Sequence, residues 1–281
     1  MRKLKFVLLL AFAGHSVFAA NVDTVNIRSD VMNIDVDTVV ITPEKSSEGS
    51  AVIYLLHGYA SPSKSWIVIQ PEIAKFSDDY NVIFVCPNGE NSWYWDSPIN
   101  PSSQYETFVS KELVSYIDTN YKTLAERKQR SITGFSMGGY GALWLAIRNQ
   151  DVFGNAGSIS GAIDIMNIPK GFPIDVSPES DFAISESLGT KSKNKKLWKA
   201  HSLPNVFKAE TTKPDLSLII DCGYEDELVF ADNEKFHKLL QRIKVPHTYI
   251  VRPGGHTVPY WNEAIDYQVL FFVKTMKAAR G

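Results

Sequence analysis

Residues 130–149, R-S-I-T-G-F-S-M-G-G-Y-G-A-L-W-L-A-I-R-N, constrain the fold more than any other stretch: they read as a strand, a sharp turn and a helix. Gly134 and Gly138 frame Ser136 in the pattern G-x-S-x-G. Without side chains these glycines let the backbone turn tightly and let strand and helix approach closely, which lifts the serine oxygen above the sheet edge. Gly139, Gly141 and Ala142 keep the first helical turns slim. The free amides and positive dipole end of that helix point at the serine, an arrangement that suits a developing oxyanion. The bare pattern also fits an ordinary glycine-rich helix start, so the surrounding chain must decide between the two.

The surroundings favour a parallel sheet covered by helices. Residues 22–42 alternate apolar and polar side chains, as expected of two half-exposed strands, antiparallel at a sheet edge. Residues 51–56, A-V-I-Y-L-L, and 82–86, V-I-F-V-C, are continuous apolar runs of the kind buried on both faces of a parallel sheet. A short helix is expected around residues 71–76. Ser103-x-x-Glu106 reads as a capping box opening a helix whose apolar positions, from Tyr105 and Phe108 to Ile117 and Tyr121, keep helical spacing. After the serine turn come a strand ending near residue 161 and an aperiodic insertion, residues 162–213, of a kind that often covers a site. A strand over residues 216–222, a helix over 232–243, a strand over 247–251 and a final helix from about residue 260 complete the chain. Strands alternating with helices predict an α/β fold with a mostly parallel, doubly wound sheet.

Composition narrows the class of protein. The chain has 281 residues, 44% apolar and 21% charged, enough for a full core in one domain over residues 20–281. Residues 1–19 are expected to be a secretory signal peptide. They run from basic M-R-K-L-K through a short apolar stretch to V-F-A, with cleavage after Ala19 and a destination in the periplasm or outside the cell. The apolar stretch falls short of the roughly 20 residues a bilayer span requires, so no stable membrane insertion is expected. Removing Arg2, Lys3 and Lys5 from the 29 basic residues leaves 26 against 31 acidic ones, an acidic mature chain that excludes nucleic acid as a partner. The lysine-rich run 191–199 reads as solvated surface. Export would permit a disulfide between Cys86 and Cys222, the two cysteines. Each ends a strand-like run, however, and strands several places apart at about 4.8 Å each exceed a disulfide's reach, so both thiols should be free and buried.

In such sheets the chemistry sits on loops at the carboxyl ends of the strands. Those loops carry Ser136, then Glu225, Asp226 and Glu227, then His256, in the order serine, acid, histidine. A hydroxyl needs a base to become a nucleophile, and imidazole can serve near neutral pH. His256 is the candidate base. Asp226 is the candidate orienting acid, because Asp221 still belongs to the strand and Glu225 and Glu227 should face solvent; Asp164, after the preceding strand, is the alternative. The amides of Met137, next to the serine, and Tyr59, after His57-Gly58, should form the oxyanion hole. His57 is expected to be structural, as are His237 and His247, while His201 in the insertion is a candidate substrate contact. Trp93 and Trp95 leave a strand near the active face and are candidates for stacking on sugar or phenolic groups. No His, Cys or carboxylate spacing suggests a metal site.

With H-G-Y, W-Y-W-D, G-F-S-M-G-G-Y-G-A, D-C-G-Y-E-D and G-G-H in this order, the chain resembles the putative esterase family. That family includes esterase D and S-formylglutathione hydrolases, tributyrin, feruloyl and acetylxylan esterases, and mycolyltransferases. The resemblance, over about residues 31–272, implies an α/β-hydrolase fold, no cofactor, a Ser136–Asp226–His256 triad and oxyanion amides at Tyr59 and Met137. The export signal points to the polysaccharide-associated esterases, with acetyl or feruloyl esters of plant polysaccharide, or small esters, as substrates. Acyl transfer to a sugar or lipid hydroxyl is the alternative within catalysis, and a non-catalytic carbohydrate-binding module the alternative outside it. His256-Thr257-Val258-Pro259 replaces the aromatic residue often found after the family's histidine.

Overall fold

A computed structural model describes residues 20–46, 48–168 and 181–280. The expected signal peptide and its cleavage after Ala19 lie outside the described residues, as does part of the insertion, residues 169–180. The strands are β1 (Asn21–Ser29), β2 (Ile34–Thr42), β3 (Ala51–Leu56), β4 (Val82–Pro87), β5 (Arg130–Gly134), β6 (Asn155–Ile159), β7 (Ser217–Gly223) and β8 (Thr248–Arg252). They form one sheet in the order β1-β2-β4-β3-β5-β6-β7-β8. β1 pairs antiparallel with β2 and β2 with β4, while the remaining neighbours run parallel.

Every residue of β3 and of β4 is buried, because helices cover both faces of the sheet. Fully burying an aliphatic side chain such as Ile53 or Val85 contributes about 1.5–3 kcal/mol, so these runs favour the central positions. The helices are α1 (Ser65–Ile69), α2 (Ile73–Tyr80), α3 (Tyr105–Thr107), α4 (Val114–Asn120), α5 (Met137–Arg148), α6 (Ile184–Leu188), α7 (Lys195–Ala200), α8 (Leu203–Val206), α9 (Phe230–Arg242) and α10 (Val258–Ala278), with a π-helical stretch, Phe108–Leu113, joining α3 to α4. α5 and α9 pack in one core layer, α1 and α10 in the other. Cys86 on β4 and Cys222 on β7 are free and buried, with β3, β5 and β6 between their strands.

Two local expectations need correction. Ser103 does not cap a helix: α3 starts at Tyr105 with no side-chain cap from its neighbours. Instead Asp96, from the preceding loop, accepts from the Thr107 amide at 2.9 Å and its hydroxyl at 2.6 Å. Glu106 turns inward, accepting from Trp144 Nε1 at 2.9 Å and Arg148 Nε at 2.8 Å. A tertiary ion pair thus displaces the local capping bond. The helix expected around residues 71–76 extends as α2, and the β-branched stretch S-W-I-V-I forms the additional α1, anchored by Trp66 Nε1 donating to Leu56 O at 3.1 Å.

Candidate active site

The turn between β5 and α5 has the strain expected of it. Ser136 adopts φ +55° and ψ −119°, a conformation non-glycine residues keep only when their surroundings enforce it. Its amide donates to Ile159 O at 3.0 Å, and its carbonyl accepts from Tyr140 N at 3.0 Å. Glycine is required on both sides: a Cβ at Gly134 would come within 2.5 Å of Leu56 O, and one at Gly138 within 2.4 Å of the same oxygen.

Over this turn the loops after β7 and β8 meet. The Tyr224 amide donates to Arg252 O at 3.0 Å and the Glu225 amide to Gly254 O at 3.1 Å. The loops therefore deliver Asp226 and His256 together. His256 Nε2 lies 2.9 Å from Ser136 Oγ, and His256 Nδ1 lies 2.8 Å from Asp226 Oδ2. Asp226 is buried, and its Oδ1 also accepts from the Leu228 and Val229 amides at 3.2 Å. A carboxylate so held fixes the imidazole with Nδ1–H toward Asp226 and Nε2 free to accept the serine proton. The His256 ring meets the edge of Trp261, 5.1 Å away, and Trp261 in turn stacks on Phe135 at 4.4 Å.

The oxyanion candidates, Tyr59 and Met137, line the same small cleft as Ser136, together with Trp93, Ala162, Ile168, Phe182 and Leu228; it encloses about 260 Å³ counting its open mouth. Among the described residues no acceptor is hydrogen-bonded to either amide. His57 is a structural clamp: its Nδ1 faces Gly58 O at 2.8 Å and its Nε2 accepts from the Gly89 amide at 2.7 Å. Burial pushes its pKa down, which keeps the ring neutral and able to accept at Nε2.

Other candidates are drawn elsewhere. Trp95 is a correction: it is fully buried, stacked on Trp93 at 5.7 Å and edge-on to Tyr140 and His201, so it cannot reach a sugar. Trp93 and Tyr94 both adopt left-handed backbone, which turns this aromatic run inward. Trp93 lines the cleft, and its Nε1 donates to Phe182 O at 2.8 Å. His201 stacks on Trp144 at 4.8 Å and bonds Leu197 O through Nδ1 at 2.9 Å, an interior role. Asp164 accepts from Ser202 Oγ at 2.7 Å rather than from His256. Asp221 accepts from Tyr260 Oη and pairs with Arg252 at 3.3 Å; burial raises its pKa. His237 and His247 bond each other at 2.8 Å. Sequence reading missed Phe182 and Ile168, which lie in an aperiodic segment with no pattern to reveal them, and Trp261, whose place one helical turn into α10 was the available signal.

The family model described as "Putative esterase" matches residues 29–272. An acetyl esterase of Caldicellulosiruptor saccharolyticus is 27% identical over 253 residues, which cover 84% of this chain and 88% of that protein. Among solved structures, the fluorophosphonate-binding serine hydrolase F of Staphylococcus aureus superposes with a TM-score of 0.76 at 23% identity, over 90% of this chain and 98% of that one. A ferulic acid esterase does so with a TM-score of 0.73 at 24% identity, over 92% and 99%. These likenesses show a shared α/β-hydrolase fold.

Proposed function

Given that this chain belongs to the putative esterase family and is a carboxylic ester hydrolase, we propose that it works as an exported serine esterase with Ser136 as nucleophile, His256 as base and Asp226 as orienting acid. The observation that supports this reading is the hydrogen-bonded chain from Ser136 Oγ through His256 to Asp226 Oδ2, with links of 2.9 and 2.8 Å.

In this mechanism Ser136 Oγ attacks the ester carbonyl as His256 Nε2 takes its proton. The carbonyl oxygen, now negative, receives hydrogen bonds from the Tyr59 and Met137 amides. His256 returns the proton to the departing alcohol, leaving an acyl-serine. A water then attacks this acyl group as His256 takes its proton, and the carboxylic acid leaves as His256 passes that proton to Ser136 Oγ, which restores the serine and the neutral imidazole. Asp226 stabilises the imidazolium without taking its proton. The apolar walls formed by Trp93, Phe182, Ile168 and Leu228 suit the acyl part of the substrate.

Acetyl or feruloyl esters of plant polysaccharide, or related small esters, are the proposed substrates. Hydrolysis of nitrophenyl acetate, nitrophenyl butyrate, methyl ferulate and acetylated xylan, each by the wild type and by Ser136→Ala, tests the reading. Serine-dependent release of ferulate or xylan acetate is expected. Full activity in Ser136→Ala would overturn the nucleophile assignment, and serine-dependent release from nitrophenyl esters alone would overturn the polysaccharide one. Product analysis with an added sugar acceptor separates hydrolysis from acyl transfer.

A further inference from the structure

We propose that Tyr94 is a positioning residue that sets the spacing between the two amides read above as oxyanion donors, Tyr59 and Met137; the inference rests on that reading. Tyr94 is fully buried and absent from the cleft lining, so it acts through the backbone it touches.

Its two ends engage the two donor-bearing segments. The hydroxyl donates to His57 O at 3.0 Å, two residues before Tyr59. The ring lies against α5 at Gly141, where a Cβ would come within 2.4 Å of Tyr94 Cδ2. Gly141 stands about one helical turn beyond Met137, so the ring bears on the turn that presents the second amide. One rigid side chain thus bridges the loop after β3 and the start of α5.

The bridge is itself held in place. Tyr94 adopts φ +60°, and its amide donates to Ser92 Oγ at 3.1 Å. Gly89 makes room for the ring, since a Cβ there would lie 2.2 Å from Tyr94 Cε1. From the same loop, Asn91 Oδ1 accepts from the Ala60 amide at 2.8 Å. Tyr59 therefore sits between a clamp on His57 and a clamp on Ala60, both supplied by residues 91–94. Such support matters because oxyanion stabilisation depends on donors fixed before the charge develops.

The test compares an ester with its thiono analogue, in which sulfur, a weak hydrogen-bond acceptor, replaces the carbonyl oxygen. The wild type should strongly prefer the oxygen ester. Tyr94→Phe keeps the ring packing and removes the hydroxyl; kcat for nitrophenyl acetate should fall about 10- to 100-fold while KM moves less than about twofold. The oxygen-to-thiono rate ratio should fall by about tenfold or more. A residue that only supported folding would lower Tm and leave that ratio unchanged. Asn91→Ala, nearer the surface, should lower the ratio by a smaller factor and keeps the inference testable if Tyr94→Phe does not fold. A wild-type ratio retained in both folded variants overturns the positioning role. A wild type that does not distinguish the two esters overturns the oxyanion reading, and with it this inference. Full activity in Ser136→Ala overturns the nucleophile assignment alone.

Discussion

The loops leaving β3 and β4 and the loops leaving β7 and β8 converge on the same serine, yet different forces hold them. On the β3–β4 side the contacts are neutral: His57 accepts from Gly89, Tyr94 donates to His57 O, and Asn91 accepts from Ala60. On the β7–β8 side they are ionic. Arg252 pairs with buried Asp221 at 3.3 Å and with Glu263 at 3.0 Å, its guanidinium lying over the rings of Tyr260 and Tyr267. Under the proposed mechanism, the difference matches the task of each side. Backbone amides need only a rigid frame, whereas an imidazole that gains and loses charge needs a carboxylate beside it and structure that tolerates that change.

The largest effect should come where the two sides meet. Ser136→Ala should reduce kcat by about 10⁶-fold, read in the nitrophenyl ester assay, because the acyl-enzyme route is lost whichever side remains intact. Next, Asp226→Asn should cost about 10⁴-fold in kcat with Tm nearly unchanged, since an amide at that position favours the wrong imidazole tautomer. A loss under tenfold would show that the ionic side is not organised around Asp226.

Arg252→Met probes the ionic frame rather than the chemistry. It leaves the Asp221 carboxylate buried without its cation, and urea unfolding should report a loss of about 3–5 kcal/mol. An unchanged midpoint would mean that the Tyr260 hydroxyl alone supports Asp221. The smallest effect should appear on the neutral side, as a pH dependence. Burial lowers the His57 pKa, so below about pH 6.5 the unfolded chain takes up a proton that the folded chain refuses. The contribution of His57 is therefore fully present above that pH and is lost as pH falls toward the lower folded value. Tm measured from pH 7 to pH 5 should fall, and His57→Gln should flatten the slope by up to about 1.4 kcal/mol per pH unit. Burial also lowers the pKa of His201 and of His237, with the same sign, so some slope should remain. An unflattened slope would remove His57 from the acid response.

Much of this was legible before any coordinates. The runs at residues 51–56 and 82–86 have no polar position, so they read as central strands, and the glycines framing Ser136 in G-x-S-x-G read as a tight turn, where the structure leaves no room for a Cβ beside Leu56 O. Less legible were features in which a distant partner outcompetes a local one. Ser103-x-x-Glu106 satisfies a local capping rule, but Arg148 and Trp144 take the Glu106 carboxylate. Trp95 has the composition of a sugar platform, but left-handed backbone at Trp93 and Tyr94 turns it into the core.

By itself the sequence determined the order of strands and helices, the serine turn, and the chain order of serine, acid and histidine, because these depend on periodicity and on side chains near one another along the chain. Only the tertiary structure decided that Asp226 rather than Asp164 or Asp221 faces His256, that Trp93 rather than Trp95 borders the cleft, and that Tyr94 spans two loops. Those outcomes depend on contacts between residues 30 to 120 positions apart, such as Asp226 with His256 and Ser136 with His256. No local propensity specifies such contacts; the packing of the whole sheet does.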